Sequence, residues 1–252
     1  MLKKILLKLL LMALLIGSGG CDTENRLARY SELTPEDKAK QALDRKDYDE
    51  AIRLYGEILA GNGARYDLYP LLAVAEAGKA GVSVLDMVRS QISAQGGGGD
   101  ILSSLSQFVP ANPTDEQINY LSLAVDQLKS LPEANRTDVV VYPYAASAAF
   151  QLQLYLGAHS IMVMSKYKTT TLEGKVDRQR LEEMKDEEVS SILNNLKSMT
   201  EYAPETVDGQ VVSAKVDEVL SKIDTMPGET TKEKLLNYIA GQSPAEGENK
   251  TN

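Results

Sequence analysis

Between residues 139 and 165 the chain carries no charged side chain: VVVYPYAASAAFQLQLYLGAHSIMVMS. A helix built from this stretch is apolar all round. It must be surrounded on every side, either by other protein or by lipid. Three environments satisfy it: the centre of a helical bundle, a membrane, or the wall of an apolar ligand channel. Gln151, Gln153, His159 and Ser160 speak against lipid on all sides, because polar groups without partners are expensive there. Ala145, Ala146, Ala148 and Ala149 let neighbouring helices approach closely. The expectation is a long buried central helix over 143–166.

The rest of the chain supplies helices to surround it. Apolar residues step by three and four at Ile118, Leu121, Val125 and Leu128, and again at Val212, Val216, Val219 and Ile223. That spacing stacks them on one helical face. Leu181, Met184, Ile192, Leu196 and Met199 follow the same rule with one irregular step. Helix starts are marked at Thr34-Pro35-Glu36-Asp37, Asp47-Tyr48-Asp49-Glu50, Thr114-Asp115-Glu116-Gln117 and Thr230-Thr231-Lys232-Glu233, where a side-chain oxygen can accept from a free backbone N–H. The fold class expected is all-α, with helices over 35–45, 48–60, 67–80, 84–94, 100–108, 115–130, 143–166, 178–199, 211–225 and 231–240. Only 139–142 looks locally strand-like. Breakers separate the helices at Gly61-Asn62-Gly63, Gly96 to Gly99, Pro110 to Pro113, Pro132, Pro204 and Pro227-Gly228.

The N-terminus reads as an export leader over 1–20. Lys3, Lys4 and Lys8 precede the apolar run LLLMALLI, and Gly17-Ser18-Gly19-Gly20 leads into Cys21. Eight apolar residues in a row are too few to span a bilayer. Gly19, Gly20 and Cys21 resemble the lipobox of bacterial lipoproteins, although Ser18 stands where that family usually has Leu. The resemblance implies cleavage before Cys21, lipid on its thiol, and a body held at the inner or outer membrane in the periplasm. Asp22 resembles the inner-membrane retention signal of enterobacterial lipoproteins. Residues 21–33 are read as a flexible tether, 34–240 as one helical domain and 241–252 as a disordered tail.

Composition excludes several chemistries. Cys21 is the only cysteine and His159 the only histidine. No intrachain disulfide forms, and a Cys/His zinc site lacks ligands. Losing the three leader lysines takes the net charge from −9 to −12. This disfavours nucleic acid, whose affinity comes largely from Lys and Arg, and broad charge adhesion to anionic lipid. Gly96 to Gly99 lacks the Lys-Ser/Thr of a phosphate loop and is followed by Asp100. The acidic run Glu182, Glu183, Asp186, Glu187 and Glu188 reads as a solvated helix face. Asn135-Arg136-Thr137 is a sequon without meaning behind a bacterial leader. His159 has no cysteine partner and no serine motif around it. The expectation is no enzyme, no metal and no cofactor.

Within the helical domain, Ala39, Ala42, Tyr48, Ala51, Tyr55 and Ile58 lie on two short helices at helical spacing, around the string Asp47-Tyr48-Asp49-Glu50-Ala51-Ile52. Residues 35–68 resemble a tetratricopeptide repeat, in which small residues sit where paired helices touch. A shift of 34 residues gives a degenerate second unit over 69–102, with Leu85 replacing Ala51 and Arg89 replacing Tyr55. Beyond that the likeness ends.

The resemblance implies a stacked helical scaffold that holds a protein or peptide, as tetratricopeptide lipoproteins do in envelope assembly and secretion. By family geometry the contact residues are Lys38, Gln41, Arg45, Leu72 and Glu76. The alternative is a small apolar ligand, since some such lipoproteins accompany solute transporters. The uncharged helix and Tyr142, Tyr144 and Tyr155 motivate it.

The lipid assignment has a direct check. Intact mass of the protein purified from membranes should show an acylated Cys21. Cys21→Ala should abolish fatty-acid labelling and release the body into the soluble fraction. An unmodified thiol on a freely secreted product contradicts it.

Overall fold

The computed structural model describes residues 33–87, 101–138, 140–141, 146–169, 171, 176–204 and 206–241. The leader, Cys21, most of the tether, the Gly96–Gly99 breaker, Tyr142, Tyr144 and the tail beyond 241 lie outside the described residues. The described part is all-α: α1 (Pro35–Asp44), α2 (Tyr48–Gly61), α3 (Tyr69–Lys79), α4 (Ile101–Ser106), α5 (Asp115–Lys129), α6 (Glu133–Asp138), α7 (Ala148–Tyr167), α8 (Arg178–Glu182), α9 (Asp186–Glu201), α10 (Val207–Thr225) and α11 (Thr231–Gly241). Residues 84–87 are also helical. One two-residue antiparallel ladder, Val140–Val141 with Ala146–Ser147, precedes α7.

The capping chemistry is where the residue types put it. Asp37 N–H donates to Thr34 Oγ1 at 3.1 Å, and Thr34 N–H donates to the Asp37 carboxylate at 3.2 Å. Thr114 with Gln117 and Thr230 with Glu233 repeat this reciprocal pair. Each box satisfies two backbone donors that a helix start otherwise leaves open.

The first hairpin closes by a tight turn. Lys46 is left-handed at φ 60°, Asp47 N–H reaches Ala42 O at 2.9 Å, and Lys46 N–H reaches Leu43 O at 2.9 Å. This pair of bonds caps the carbonyls at the end of α1. Gly81, at φ 83°, ends α3 the same way through Val82 N–H to Ala77 O.

The long helices form one antiparallel series: α1 on α2, α2 on α3, α3 on α5, α5 on α7, α7 on α9, α9 on α10, α10 on α11. Cross-helix bonds fix the direction. On α7 and α9, Gln153 meets Met199 O, His159 meets Asn195, and Tyr167 meets Glu188. Numbers rise on one helix as they fall on the other. On α5 and α7, His159 meets Ser122 and Lys166 meets Asp115. Neither partner of a pair can hide its apolar stripe alone, so stacking is obligatory.

The centre of the series is α7. Every residue from Ala148 to Met164 is buried, and Tyr167 as well. At 1.5 Å per residue it is about 30 Å long. It packs on α5 and α9 and is further covered by α4, α6 and α3. Gly157 marks the closest approach: a Cβ there would lie 2.8 Å from Leu105 Cδ1 and 2.9 Å from Met199 Cε. Among the described residues no helix is long and apolar enough to cross a membrane.

Four boundaries differ from expectation. The central helix starts at Ala148, not 143, because the β ladder occupies 146–147 and Ser147 caps the helix through Phe150 N–H at 3.2 Å. The helix expected over 178–199 is two: Lys185 is extended at ψ 155°, and Glu188 accepts its N–H at 2.9 Å. α10 begins at Val207, four residues early, capped by Thr206. The short α6 was unexpected; it follows directly on Pro132.

Packing of the first helices rests on Tyr48, whose ring lies 2.4 Å from where a Gly78 Cβ would stand. Gly78→Ala must displace that ring and should cost about 1–3 kcal/mol, read by urea unfolding. The cost should shrink in a Tyr48→Ala background. An equal cost in both backgrounds would show that the ring does not set it.

Candidate functional site

The five residues assigned to partner contact do not share a surface. Lys38, Gln41 and Arg45 are exposed on one side of α1, with Arg45 Nε donating to its own Gln41 O at 3.2 Å. Leu72 and Glu76 are 5% and 4% exposed. This corrects the expectation that the repeat register would carry an open face from α1 to α3. α1 ends the series and has a free side. α3 lies between α2 and α5 and touches α7, so nearly its whole circumference is covered.

Glu76 is therefore a carboxyl inside the protein. Its Oε2 is buried without a hydrogen-bond partner. Burial pushes its pKa up to about 7; hydrogen bonding from Gln127 opposes the rise, and the charge of Asp126 adds to it. Loss of hydration disfavours the ionised form of any carboxyl, and a nearby like charge does the same.

The second buried titratable group is His159, 8% exposed at the junction of α5, α7 and α9. Its Nε2 lies 2.8 Å from Ser122 Oγ, and its Nδ1 lies 2.9 Å from Asn195 Nδ2. Ser122 Oγ also lies 3.1 Å from Ile118 O, four residues back on its own helix. The proton count closes on one arrangement. Ser122 gives its single hydroxyl proton to Ile118 O, so Oγ accepts from His159 Nε2–H, and Nδ1 accepts from Asn195. The imidazole is neutral and fully used. Burial, then the charge of Lys129, lowers its pKa to about 4, with Asp126 opposing.

Serine, histidine and carboxamide in a row invite comparison with a nucleophilic triad. There the histidine must accept the hydroxyl proton and stand before a cleft. Here the hydroxyl points along its helix and the ring is enclosed. The arrangement ties three helices together. A shallow hollow along Asp186, Ser190, Ser191 and Asn194 reaches Asn195 from outside.

The remaining polar groups of α7 behave differently. Gln153 Nε2 donates to Met199 O at 2.9 Å and Gly209 O at 3.2 Å, and Ser160 Oγ donates to Leu156 O at 3.0 Å. Gln151 is fully buried, and neither polar atom of its carboxamide has a partner. The acidic run does not act as one group. Glu182 faces Arg178, Glu183 binds Arg180, and Asp186 faces Lys232. Glu188 accepts from Tyr167 Oη at 2.7 Å. The end of α7 is clasped by Lys166, which bonds Asp115 of α5 at 2.7 Å and Glu188 of α9 at 3.5 Å.

Ser122, Asn195 and Gln127 were not singled out in the sequence. Each is a small polar residue beside an apolar stripe, a pattern shared with dozens of surface positions.

No family profile, no curated protein and no solved structure matches the chain.

His159 has a signed pH consequence. Its folded pKa lies below the unfolded value, so between about pH 6.5 and 4 the unfolded chain binds the extra proton. Its contribution is complete above 6.5 and is lost as pH falls toward 4. The stability of the parent relative to His159→Gln should fall by about 3 kcal/mol across that window, measured by urea unfolding at each pH. A difference that stays flat would show that the imidazole titrates alike in both states.

Proposed function

We propose that the chain is a membrane-anchored periplasmic lipoprotein whose stacked helices hold a protein or peptide partner in an envelope assembly or secretion complex. Cys21 carries the lipid. The body recognises and does not catalyse.

The observation that carries this reading is the paired geometry of the first helices. α1 and α3 begin 34 residues apart, the tetratricopeptide period. Each ends in the same left-handed turn with the same six-residue closing bond. α1 closes one end of the series and keeps a free polar side formed by Lys38, Gln41 and Arg45. Stacked helix pairs generate extended surfaces of this kind, and terminal helices present their outer face to solvent or to a partner. The protons of Ser122 and His159, the groups nearest to a catalytic set, are spent inside the fold.

A second reading is a helical lipoprotein that binds a small molecule as an accessory to a solute transporter. The buried carboxamide of Gln151, without a protein partner, favours it. A polar group in an apolar interior costs free energy until something bonds it. The close packing at Gly157 weighs against a channel along α7.

A photo-crosslinking amino acid at Lys38, Gln41 or Arg45, introduced in the native cell, distinguishes the two. The scaffold reading expects a discrete protein adduct at these positions and none at Lys222 on α10. Absence of any protein adduct, together with a small molecule retained in native mass spectra, supports the transporter accessory instead.

A further inference from the structure

Glu76 sits where two differently built parts of the fold meet. On one side are α1, α2 and α3, the repeat-like unit. On the other is the bundle around α7, reached through α5. The carboxyl is 4% exposed and its Oε2 has no partner. Among the described residues it makes no ion pair.

The charges around it do not compensate. On α3 itself, Lys79 is one turn away. It is bonded to Asp49 of α2 and rests over the Tyr120 ring of α5, 4.3 Å from its centre. α2 carries Tyr48, Asp49 and Tyr55. α5 carries Tyr120, Asp126 and Lys129, and Lys129 acts on His159. α7 carries Tyr155 and His159, the latter neutral and turned to Ser122 and Asn195. The helical segment after Gly81 carries Asp86. The charge that acts on Glu76 is Asp126, of the same sign.

We propose that Glu76 makes the α3–α5 seam a proton-controlled joint: protonated, the carboxyl is held inside and the two parts are locked; ionised, it drives the seam open toward water. A buried, uncompensated carboxylate is among the costliest single groups an interface can hold. A protonated carboxyl needs only hydrogen bonds, and Gln127 is there to provide one.

The sign follows from linkage. The folded pKa, near 7, is raised above the ordinary carboxyl value of 4.5. Stability of the seam is complete below about pH 4.5 and is lost as pH rises through 7. Opening at the seam exposes Glu76, so local opening carries the same dependence. The chain meets this range wherever the outside medium sets the pH.

Hydrogen exchange of the full chain in detergent, followed by mass spectrometry from pH 5 to 8, tests it. After correction for the intrinsic exchange rate, protection in α3 and α5 should fall about 50-fold across the range. Protection in α9 and α10 should hold. Glu76→Gln, which keeps the shape and cannot ionise, should flatten the dependence.

Equal pH dependence in parent and variant, or loss spread evenly over all helices, would overturn the joint. Should Glu76→Gln fail to fold, a carbon-13 titration of the Glu76 carboxyl in the parent decides. A midpoint near 7 that moves with amide shifts in α5 supports the joint. A midpoint near 4.5 rejects it.

Discussion

The fold depends on hiding α7. A helix of 20 residues with no charged residue before its last turn has no face to offer water. Every neighbour is placed by that need. α5 and α9 flank it antiparallel, α4 presses on Gly157, and α3 and α6 close the remaining sides. Hydrophobic burial is non-directional and leaves rotation and sliding of the helices free. The polar groups on α7 remove that freedom. Gln153 binds backbone carbonyls near the starts of the adjoining helix turns, His159 bridges α5 to α9, and Lys166 and Tyr167 clasp the far end. Three levels of cross-helix bonding along one rod set both register and direction.

The same construction explains why the interior polar groups are poor candidates for chemistry. A catalytic histidine needs a free lone pair, a partner whose proton it can take, and access to substrate. His159 has both nitrogens engaged and lies almost fully inside. Glu76 is different. It is equally enclosed but lacks compensation, and the cost of its charge falls on the joint between the repeat-like unit and the α7 bundle. One buried group locks helices at neutral pH and the other works against them.

Much of this was legible in the residues. The capping boxes at Thr34, Thr114 and Thr230 formed because the oxygen and the backbone N–H that it satisfies lie three residues apart in any helix start. The uncharged stretch announced a buried rod, since no other soluble arrangement suits it. What stayed hidden depended on neighbours. Leu72 and Glu76 looked like surface positions by the register that exposes Lys38 and Gln41. Register fixes a position along the helix, whereas exposure depends on what packs outside it. The break at Lys185 left one trace, the irregular step between Met184 and Ile192. The bonding of His159 to Ser122 and Asn195 joins residues more than thirty positions apart, which local pattern does not report.

The enclosure of α7 is open to a single direct measurement. Ser160 is fully buried midway along the rod and close in size to cysteine. With Cys21→Ala removing the native thiol, S160C is exposed to a maleimide in buffer without detergent, beside L33C as an exposed control. Labelling at position 160 should wait for global unfolding and appear only across the urea transition, while position 33 labels at once. Rapid labelling at position 160 in the native chain would mean that α7 is not the enclosed core, and the arrangement of helices around it would fall with that.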